Sequence, residues 1–145
     1  MHGLHALAYY SNPTFAVTPE TIEIEVREIL RESRVRNRQD GLTGALFFDH
    51  RYFLQVLEGD RTALSATLGR VWRNPLHENL VIIGMEPISE RAFGEWSLGY
   101  LNPDATSASI VNEFAGGGPF EPSRLSTVST VQMITKLVEN AKLAA

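Results

Sequence analysis

Residues 41–59 read GLTGALFFDHRYFLQVLEG, two apolar runs separated by three polar residues. The runs Leu42–Phe48 and Tyr52–Leu57 have the length of strands, and the connection between them is short enough for a hairpin. Residues two apart share one face of a strand, so Gln55 points to the same side as its apolar neighbours. A buried amide needs hydrogen-bond partners, either within the protein or on a bound polar ligand. The hairpin alone leaves both alternatives open.

The segments before this hairpin predict the first strand and the first helix. Leu4–Tyr10 is short, apolar and aromatic, and the Ser-Asn-Pro sequence after it stops a strand. Thr18, Pro19 and Glu20 are typical of a helix start. Thr18 is the expected N-cap, Pro19 takes the first helical position, and Glu20 is an acid in the first turn. Asp40-Gly41 ends that helix. Its expected inward-facing residues are Ile22, Val26, Ile29, Leu30, Ser33 and Asn37.

The segments after the hairpin predict a second helix and two more strands. Asp60 can cap the helix, and Asn74-Pro75 ends it. Leu80–Met85 is a β-branched apolar strand, and Trp96–Leu101 is the last strand. The expected apolar residues of the second helix are Leu64, Leu68, Val71 and Trp72. The side chains expected to share one face of the last strand are Trp96, Leu98 and Tyr100.

The order β-α-β-β-α-β-β predicts an α+β, ferredoxin-like fold with two helices on one face of a mostly antiparallel five-stranded sheet. The composition then changes, which divides the chain into a domain of residues 1–101 and a C-terminal helical extension of residues 102–145. The extension contains an amphipathic helix, Ser126–Lys142, with the stripe Val128, Val131, Ile134, Leu137, Val138 and Ala141. Because Leu54 and Val56 are apolar on the outer sheet face, this helix is expected to cover it, within its own chain or across a dimer.

Composition limits the classes of function. A chain of 145 residues, 43% hydrophobic, fits one compact domain with a small appendage. The net charge of −4 argues against a nucleic-acid surface, and the absence of cysteine excludes disulfides and thiol chemistry. No apolar run is long enough to span a membrane, and the N-terminus lacks the regions of a signal peptide. We therefore expect a soluble cytoplasmic protein that binds neither nucleic acid nor membranes.

Catalytic patterns are weak in this sequence. The four histidines lack the spacing of a zinc site, so no metal is expected. Ser11 and Ser33 are in no nucleophile-elbow context. Arg34, Arg36 and Arg38 lie at a helix C-terminus, where cations are favourable in any case. These three arginines could alternatively help to neutralise a bound pyrophosphate.

Six segments, taken in order and spacing, resemble the BLUF family, sensors of blue light using FAD. The segments are Leu7–Ser11, Ser33–Asn37, Gly41–Phe48, Phe53–Gly59, Asn74–His77 and Arg91–Ser97. The resemblance extends over about residues 4–101, and the pairing of Leu-Thr-Gly with Phe-Leu-Gln-x-Leu-Glu-Gly is its most specific part. The short chain with a helical tail is similar to stand-alone members that signal through a partner. The resemblance implies a non-enzymatic photoreceptor with FAD as its cofactor, an unidentified downstream signalling protein and a homo-oligomer, dimeric or larger.

The resemblance also implies roles for individual residues. Tyr9 matches the family's electron- and proton-donating tyrosine, and Gln55 matches the glutamine between that tyrosine and the flavin N5/O4 edge. Asn37 matches the asparagine that bonds the pyrimidine edge of the isoalloxazine. Ser11 and Trp96 match positions that adjust the hydrogen-bond network near the chromophore. The further expected cofactor contacts are Ile29, Ser33, Leu68, Leu98 and, near the FAD tail, His77.

Three departures from the family pattern stand out. Leu98 occupies a position that is methionine in many members, and Leu76 occupies one that is often arginine. The segment from Asn12 to Val17 is a few residues longer than usual, which a surface loop tolerates. These changes bear on signalling kinetics and flavin affinity. Two other classes stay open from the sequence: a light-insensitive ferredoxin-like binding or oligomerisation module, and a small flavin reductase, for which no nicotinamide site is visible.

Overall fold

A five-stranded sheet forms the centre of the molecule. The computed structural model describes residues 3–116 and 118–144. The strands are β1 (Leu4–Pro13), β2 (Thr43–Phe48), β3 (Phe53–Asp60), β4 (His77–Pro87) and β5 (Gly99–Leu101). Their order across the sheet is β4-β1-β3-β2-β5, and every neighbouring pair is antiparallel except β2 and β5. The predicted mostly antiparallel five-stranded sheet is therefore confirmed.

The helices fall into two groups along the chain. The first group consists of α1 (Pro19–Thr21), a π-helical segment (Ile22–Val26), α2 (Arg27–Asp40) and α3 (Arg61–Trp72). The second group follows the sheet and consists of α4 (Ala105–Ala115), a 3-10 turn (Pro122–Arg124) and α5 (Thr127–Ala144). The sequence predicted α5 nearly to its observed bounds but did not predict α4. None of the helices in the described part of the chain is long and apolar enough to cross a membrane.

The predicted helix caps are present. The Thr18 hydroxyl accepts from the Thr21 amide at 3.1 Å. The Asp60 carboxylate accepts from the amide of Thr62 at 3.0 Å, and from the next amide at 3.3 Å. Gly41, with φ of 69°, adopts the left-handed conformation that ends α2. Local sequence therefore determines the ends of the two helices that flank the hairpin.

The sheet separates two apolar cores. On one face, which we call the helix-side core, β1, β2 and β3 pack against the first helical group through Leu7, Tyr9, Val26, Leu30, Leu42, Leu46, Phe48, Phe53, Leu57, Leu64 and Leu98. The other face, the tail-side core, packs against α4 and α5 through Ala6, Ala8, Ala45, Phe47, Leu54, Val56, Val111, Met133, Ile134, Leu137 and Val138. The expected cover of the outer sheet face is thus provided by the C-terminal helix of the same chain.

The stripe predicted for α5 is correct only in its centre. Ile134, Leu137 and Val138 are buried, but Val128 is 62% exposed and Ala141 is exposed too. Thr127 instead makes the closest approach at the N-terminal end of α5. A Cβ atom on Gly84 would lie 2.3 Å from the Thr127 Oγ1 atom, so the glycine permits that approach. The helix therefore meets the sheet through Thr127 at its N-terminal end and through its apolar residues at its centre.

The predicted last strand is too long, and of its predicted shared face Leu98 and Tyr100 are correct and Trp96 is wrong. Only Gly99–Leu101 is a strand. The Trp96 amide donates to the Phe93 carbonyl at 3.0 Å, which closes a turn instead of continuing a strand. Trp96 packs against the tail-side core, whereas Leu98 belongs to the helix-side core. The two side chains therefore pack in different cores, and the residue before β5 on the helix side is Leu98.

Glu58 anchors the segment that leads to this turn. Its buried carboxylate accepts from the amides of Ala92 at 2.6 Å and Phe93 at 3.0 Å, and from the Thr43 hydroxyl at 3.0 Å. The Arg91 guanidinium donates to the same hydroxyl at 2.7 Å and to the Glu58 backbone carbonyl at 3.0 Å. The segment before β5 is therefore fixed to β2 and β3 by a buried polar cluster.

Candidate functional site

Tyr9 and Gln55 are direct cross-strand partners at the middle of the sheet. Tyr9 lies opposite Gln55 in the β1–β3 register, and Leu46 lies opposite Gln55 in the β2–β3 register. Tyr9 and Leu46 belong to the helix-side core, so Gln55 points into that core between them. Gln55 itself is only 9% exposed.

The polar atoms of this pair lack internal partners. The Tyr9 hydroxyl is buried and unpaired, and the Gln55 amide makes no hydrogen bond to any residue in the ranges 3–116 and 118–144. Burial raises the pKa of the Tyr9 phenol far above its ordinary value of 10.0, so the phenol keeps its proton. Because buried polar groups are nearly always satisfied, the unpaired Tyr9 hydroxyl favours the second alternative raised by the sequence, a polar ligand, and the Gln55 amide is open to the same ligand from the cleft.

A cleft between α2 and α3 leads to this pair. It has a volume of about 670 Å³, within the range of cofactor sites, and continues inward to a small pocket of about 50 Å³. The cleft lining includes Ser33, Arg36, Asn37, Gln55, Leu57, Thr67, Arg70, Val71, Arg73, Asn74 and Leu76. The inner pocket is lined by Tyr9, Ser11, Ile29, Ser33, Leu46, Phe53, Gln55, Val71, Asn74 and His77. The two spaces share four residues and form one site.

Asn37 lies at the C-terminal end of α2, on the wall of the cleft. Its Nδ2 atom donates to the Ser97 carbonyl at 2.6 Å. One amide hydrogen is therefore used internally. The second hydrogen and the amide oxygen are available to a ligand, because no other side-chain hydrogen bond of Asn37 joins it to the described residues. Asn37 can thus present both a donor and an acceptor, as the sequence indicated.

Ser11 and His77 close the inner end of the pocket. The Ser11 hydroxyl is 2.7 Å from His77 Nδ1, and His77 Nε2 contacts the Val71 carbonyl. A carbonyl only accepts, so Nε2 carries a hydrogen, and in the neutral imidazole Nδ1 accepts from the Ser11 hydroxyl. The resemblance implied that His77 lies near the FAD tail. In the structure it lines the inner pocket with Tyr9 and joins β1 to the end of α3.

The charges at the cleft differ from those the sequence suggested. Of the three arginines at the end of α2, only Arg36 lines the cleft. Two cations that were not predicted from the sequence, Arg70 and Arg73, line it from α3 and the residue that follows, and two carboxylates, Glu28 and Glu32, line it from α2. Arg70 donates to Asp40 at 2.8 Å and to the Thr67 hydroxyl at 3.0 Å, which holds it at the rim. Thr67, Arg70 and Val71 have helical i, i+3, i+4 spacing, the one signal that could have indicated this wall.

Three expected contact residues lie outside the lining of the cleft. Leu68 packs against the helix-side core, because α3 is rotated so that its neighbours Thr67 and Val71 face the cleft. Leu98 is fully buried in the same core. Trp96 lies on the far side of the sheet. Ser11, Ile29, Ser33, Asn37, Gln55, His77 and Tyr9 do come together in the site.

A comparison with protein families identifies the family of the chain. The profile of a family described as sensors of blue-light using FAD matches residues 4–99. The chain belongs to the BLUF family. FAD is the cofactor by which this family is defined, and the matched region contains every residue of the cleft and the inner pocket.

Individual relatives agree with this assignment. The chain is 32% identical over 96 residues to photoactivated adenylate cyclase subunit beta of Euglena longa, and 29% identical over 97 residues to the same subunit of Euglena gracilis. Each match covers 66% of this chain but only 11% of the relative, so the chain spans about a tenth of these proteins.

Solved structures share the fold of nearly the whole chain. BlrB, a BLUF protein in its dark state, superposes with a TM-score of 0.75 at 26% identity, covering 94% of this chain and 98% of BlrB. BlsA in its photo-activated state gives a TM-score of 0.82 at 23% identity, covering 93% of this chain and 94% of BlsA. The α+β arrangement with a C-terminal helix is therefore the BLUF fold.

The residues present at the site fit FAD. The inner pocket offers an unpaired phenol and an unpaired amide to the polar rim of a flat ring, and Asn37 offers a donor and an acceptor. Arg36, Arg70 and Arg73 carry the charge needed near a pyrophosphate. Within the described chain no cluster of three or more His, Asp or Glu side chains is arranged to hold a metal ion.

Proposed function

We propose that this BLUF protein is a blue-light photoreceptor that binds FAD non-covalently in the cleft between α2 and α3. Residues 1–101 act as the sensor domain, and residues 102–145 act as the extension that carries the signal. The buried, unpaired Tyr9 hydroxyl beside the unpaired Gln55 amide carries this proposal. Among the described residues that line the cleft and the inner pocket, the Tyr9 hydroxyl is the buried side-chain group without a hydrogen-bond partner.

Tyr9 is the proposed photochemical donor. Bound FAD would supply absorption of blue light and an excited state able to oxidise a nearby phenol. Tyr9 gives up one electron and its phenolic proton and then takes both back, so no substrate is consumed. Burial raises the pKa of Tyr9 further above its ordinary value of 10.0, so the donor in the dark is the protonated phenol. The same burial excludes water that would otherwise exchange with that proton.

Gln55 is the proposed switch. Its amide has a donor on one side and an acceptor on the other, so rotation or tautomerisation reverses what it offers to its neighbours. Its position opposite Tyr9 places the amide within reach of any change at the phenol. When Tyr9 recovers its electron and proton, a rearranged Gln55 can persist, and this is the stored signal.

The proposed output leaves the site through the segment before β5. Asn37 holds the Ser97 carbonyl, while Trp96, one residue earlier, packs against the core that contains α5. A shift of this segment therefore changes the packing of α5 or the docking of a downstream protein. The proposed activity is signalling, in a cytoplasmic homo-oligomer, without a reaction catalysed by this chain.

Absorption spectroscopy of the purified full chain tests the proposal. The protein should be yellow or accept added FAD, and blue light should cause a small red shift of the flavin band that reverses in the dark. A colourless protein that cannot be loaded with FAD would indicate the light-insensitive binding module instead. Dark oxidation of NAD(P)H by the FAD-loaded chain would indicate a reductase.

A further inference from the structure

A second groove runs along the face of α2 opposite the flavin cleft. It has a volume of about 680 Å³ and lies between α2 and the end of β5. We call it the arginine groove, and its lining comprises Ile22, Glu23, Val26, Arg27, Leu30, Arg31, Arg34, Val35, Arg38, Tyr100 and Asn102. It shares no residue with the cleft or the inner pocket, so FAD bound in the cleft does not fill it.

The groove carries a concentrated positive charge in an acidic protein. Four arginines line it against one carboxylate, Glu23, although the chain has a net charge of −4. The arginines follow one another at i, i+4, i+7 and i+11 along α2, which makes a stripe about 16 Å long. Arg27 pairs with Glu23 and Arg31 pairs with Glu28, but these ion pairs are exposed and therefore weak. A carboxylate of a binding partner can replace them.

The groove also has an apolar floor. Val26 and Leu30 are buried there, and Val35, which also lines the groove, is 41% exposed. The Tyr100 hydroxyl is buried without a partner in the described chain. An apolar floor beside a cationic rim fits a ligand with one apolar face and one acidic face.

The flavin cleft and the groove are joined by two consecutive peptide groups. Asn37, on the cleft side of α2, donates to the Ser97 carbonyl at 2.6 Å. Arg34, on the groove side, donates from Nε to the Leu98 carbonyl at 2.9 Å. Movement of the segment that carries these two carbonyls therefore changes the position of a groove arginine. This connection gives the groove a physical means of sensing the state of the flavin site.

We propose that the arginine groove docks an acidic amphipathic helix of a downstream protein, with an affinity that differs between dark and illuminated states. The light dependence rests on the proposed photoreceptor function. A helical ligand can lie alongside α2 in the groove. An extended ligand would instead have to pair with β5, which offers the backbone groups of only three residues. A second copy is the weaker fit, because most apolar residues of its α4 and α5 are already packed in the tail-side core and, in the described part of these helices, leave no exposed apolar face for the groove.

A designed peptide provides the probe. It is a labelled amphipathic helix of about 15 residues, long enough to span the stripe, with leucines on one face and glutamates elsewhere. A matched peptide carries lysines in place of the glutamates. Binding to the FAD-loaded full chain is measured by fluorescence anisotropy in the dark and under blue light. The acidic peptide should bind, the lysine peptide should not, and illumination should change Kd by about threefold or more.

Reversing the charge of two groove arginines tests whether the peptide binds in the arginine groove. The double variant Arg31→Glu/Arg38→Glu should weaken binding of the acidic peptide by about tenfold or more, whereas Arg61→Glu, an exposed arginine outside the groove, should not. Unchanged flavin absorbance shows that each variant is folded. Absence of acidic-peptide binding, or equal binding to the double variant, overturns the docking site.

The remaining outcomes distinguish a docked acidic helix from nucleic acid, from a second copy of the chain and from light-independent binding. If a duplex DNA competes with the peptide, the groove binds nucleic acid and the proposal is wrong. If Arg31→Glu/Arg38→Glu dissociates an oligomer seen by sedimentation, the occupant is a second copy and the proposal is again wrong. Equal Kd in the dark and under light, in a protein whose flavin band does shift, overturns the light dependence alone. Absence of the shift with intact peptide binding contradicts the photoreceptor function and leaves the docking site supported.

Discussion

The side-chain amide of Asn37 donates to the backbone carbonyl of Ser97 over 2.6 Å, across 60 positions of sequence. This hydrogen bond joins the last turn of the helix that lines the cleft to the segment that leads into β5. A residue that can contact the ligand is therefore bonded directly to the segment proposed to carry the signal. No rearrangement of the sheet is needed to connect the two.

Replacing Asn37 should affect binding and stability together. Asn37→Ala removes the contact with the ligand edge and leaves the Ser97 carbonyl without its donor. We expect weaker FAD binding and a loss of about 1–2 kcal/mol in the free energy of unfolding. Flavin fluorescence titration and urea unfolding measure the two effects. Asn112→Ala, at an exposed position on α4, is the matched control and should change neither.

Replacing Gln55 should separate binding from switching. Gln55→Leu preserves the volume of the side chain but removes its donor and acceptor. FAD should still bind, while the light-induced red shift and its dark reversal disappear. Difference absorption spectra measure the shift, and Gln132→Leu, at an exposed position on α5, should retain it. A full reversible shift in Gln55→Leu would contradict the proposed switch.

Replacing Tyr9 should abolish the ordinary photocycle. Tyr9→Phe removes the electron and proton donor and leaves the aromatic ring in place. Tyr10→Phe is the natural control, because Tyr10 packs on the opposite face of the sheet against the tail-side core. Time-resolved absorption should show the reversible red shift in the control and not in Tyr9→Phe.

Tyr9 should also affect stability at alkaline pH. Its pKa is raised by burial, so above 10.0 the unfolded chain releases the phenolic proton while the folded chain keeps it. Release of the proton lowers the free energy of the unfolded state, so the free energy of unfolding falls by up to about 1.4 kcal/mol per pH unit from this group. Tyr9→Phe should lose less stability than the wild type between about pH 10 and 11. Denaturant unfolding at several pH values measures the difference, and parallel pH profiles would contradict the buried phenol.

Removing the Glu58 carboxylate should loosen the segment before β5. Glu58→Ala leaves the buried amide of Phe93 and the partly buried amide of Ala92 without an acceptor, at a cost of about 2–4 kcal/mol. Glu86→Ala, at an exposed position of β4, should cost less than about 0.5 kcal/mol. Thermal unfolding measures both. Equal effects in the two variants would show that the Glu58 cluster does not hold this segment.

A single methyl group at Gly99 should displace Trp96. A Cβ atom there would lie 2.2 Å from the Trp96 ring, so Gly99→Ala forces the indole away and should cost about 1–3 kcal/mol. Trp96 fluorescence, recorded in a Trp72→Phe background, should shift towards the emission of an exposed indole. Gly69→Ala is the control, because nothing lies within 4 Å of the added methyl and α3 should gain stability.

Structural features that depend on short-range interactions can be predicted from the sequence. The Thr18 and Asp60 caps, the Gly41 terminus and the central hairpin all follow from a few neighbouring residues, and all are present. The pairing of Tyr9 with Gln55 was implied by the family resemblance, and the sheet register agrees with it. Their photochemical roles stay predictions.

The sequence does not predict what depends on how elements rotate or turn against one another. Leu68 fits the apolar stripe of α3, yet the rotation of α3 on the sheet brings Thr67 and Arg70 to the cleft instead. Trp96 fits a strand pattern, but a turn closed by Phe93 moves it to the opposite face. Helix α4 was missed because ATSASIVNEFA mixes small, polar and β-branched residues, which gives a weak helical period.

The alanines of the tail-side face determine which helices can replace α5. Ala6, Ala8 and Ala45 are buried and small, so they leave space beside Phe47, Leu54 and Val56 for large helix side chains such as Met133 and Ile134. For protein engineering, this face of the sheet can accept another helix that presents large apolar side chains. A grafted effector helix should keep large apolar residues at the positions of Met133, Ile134 and Leu137, and a small one at its first turn opposite Gly84.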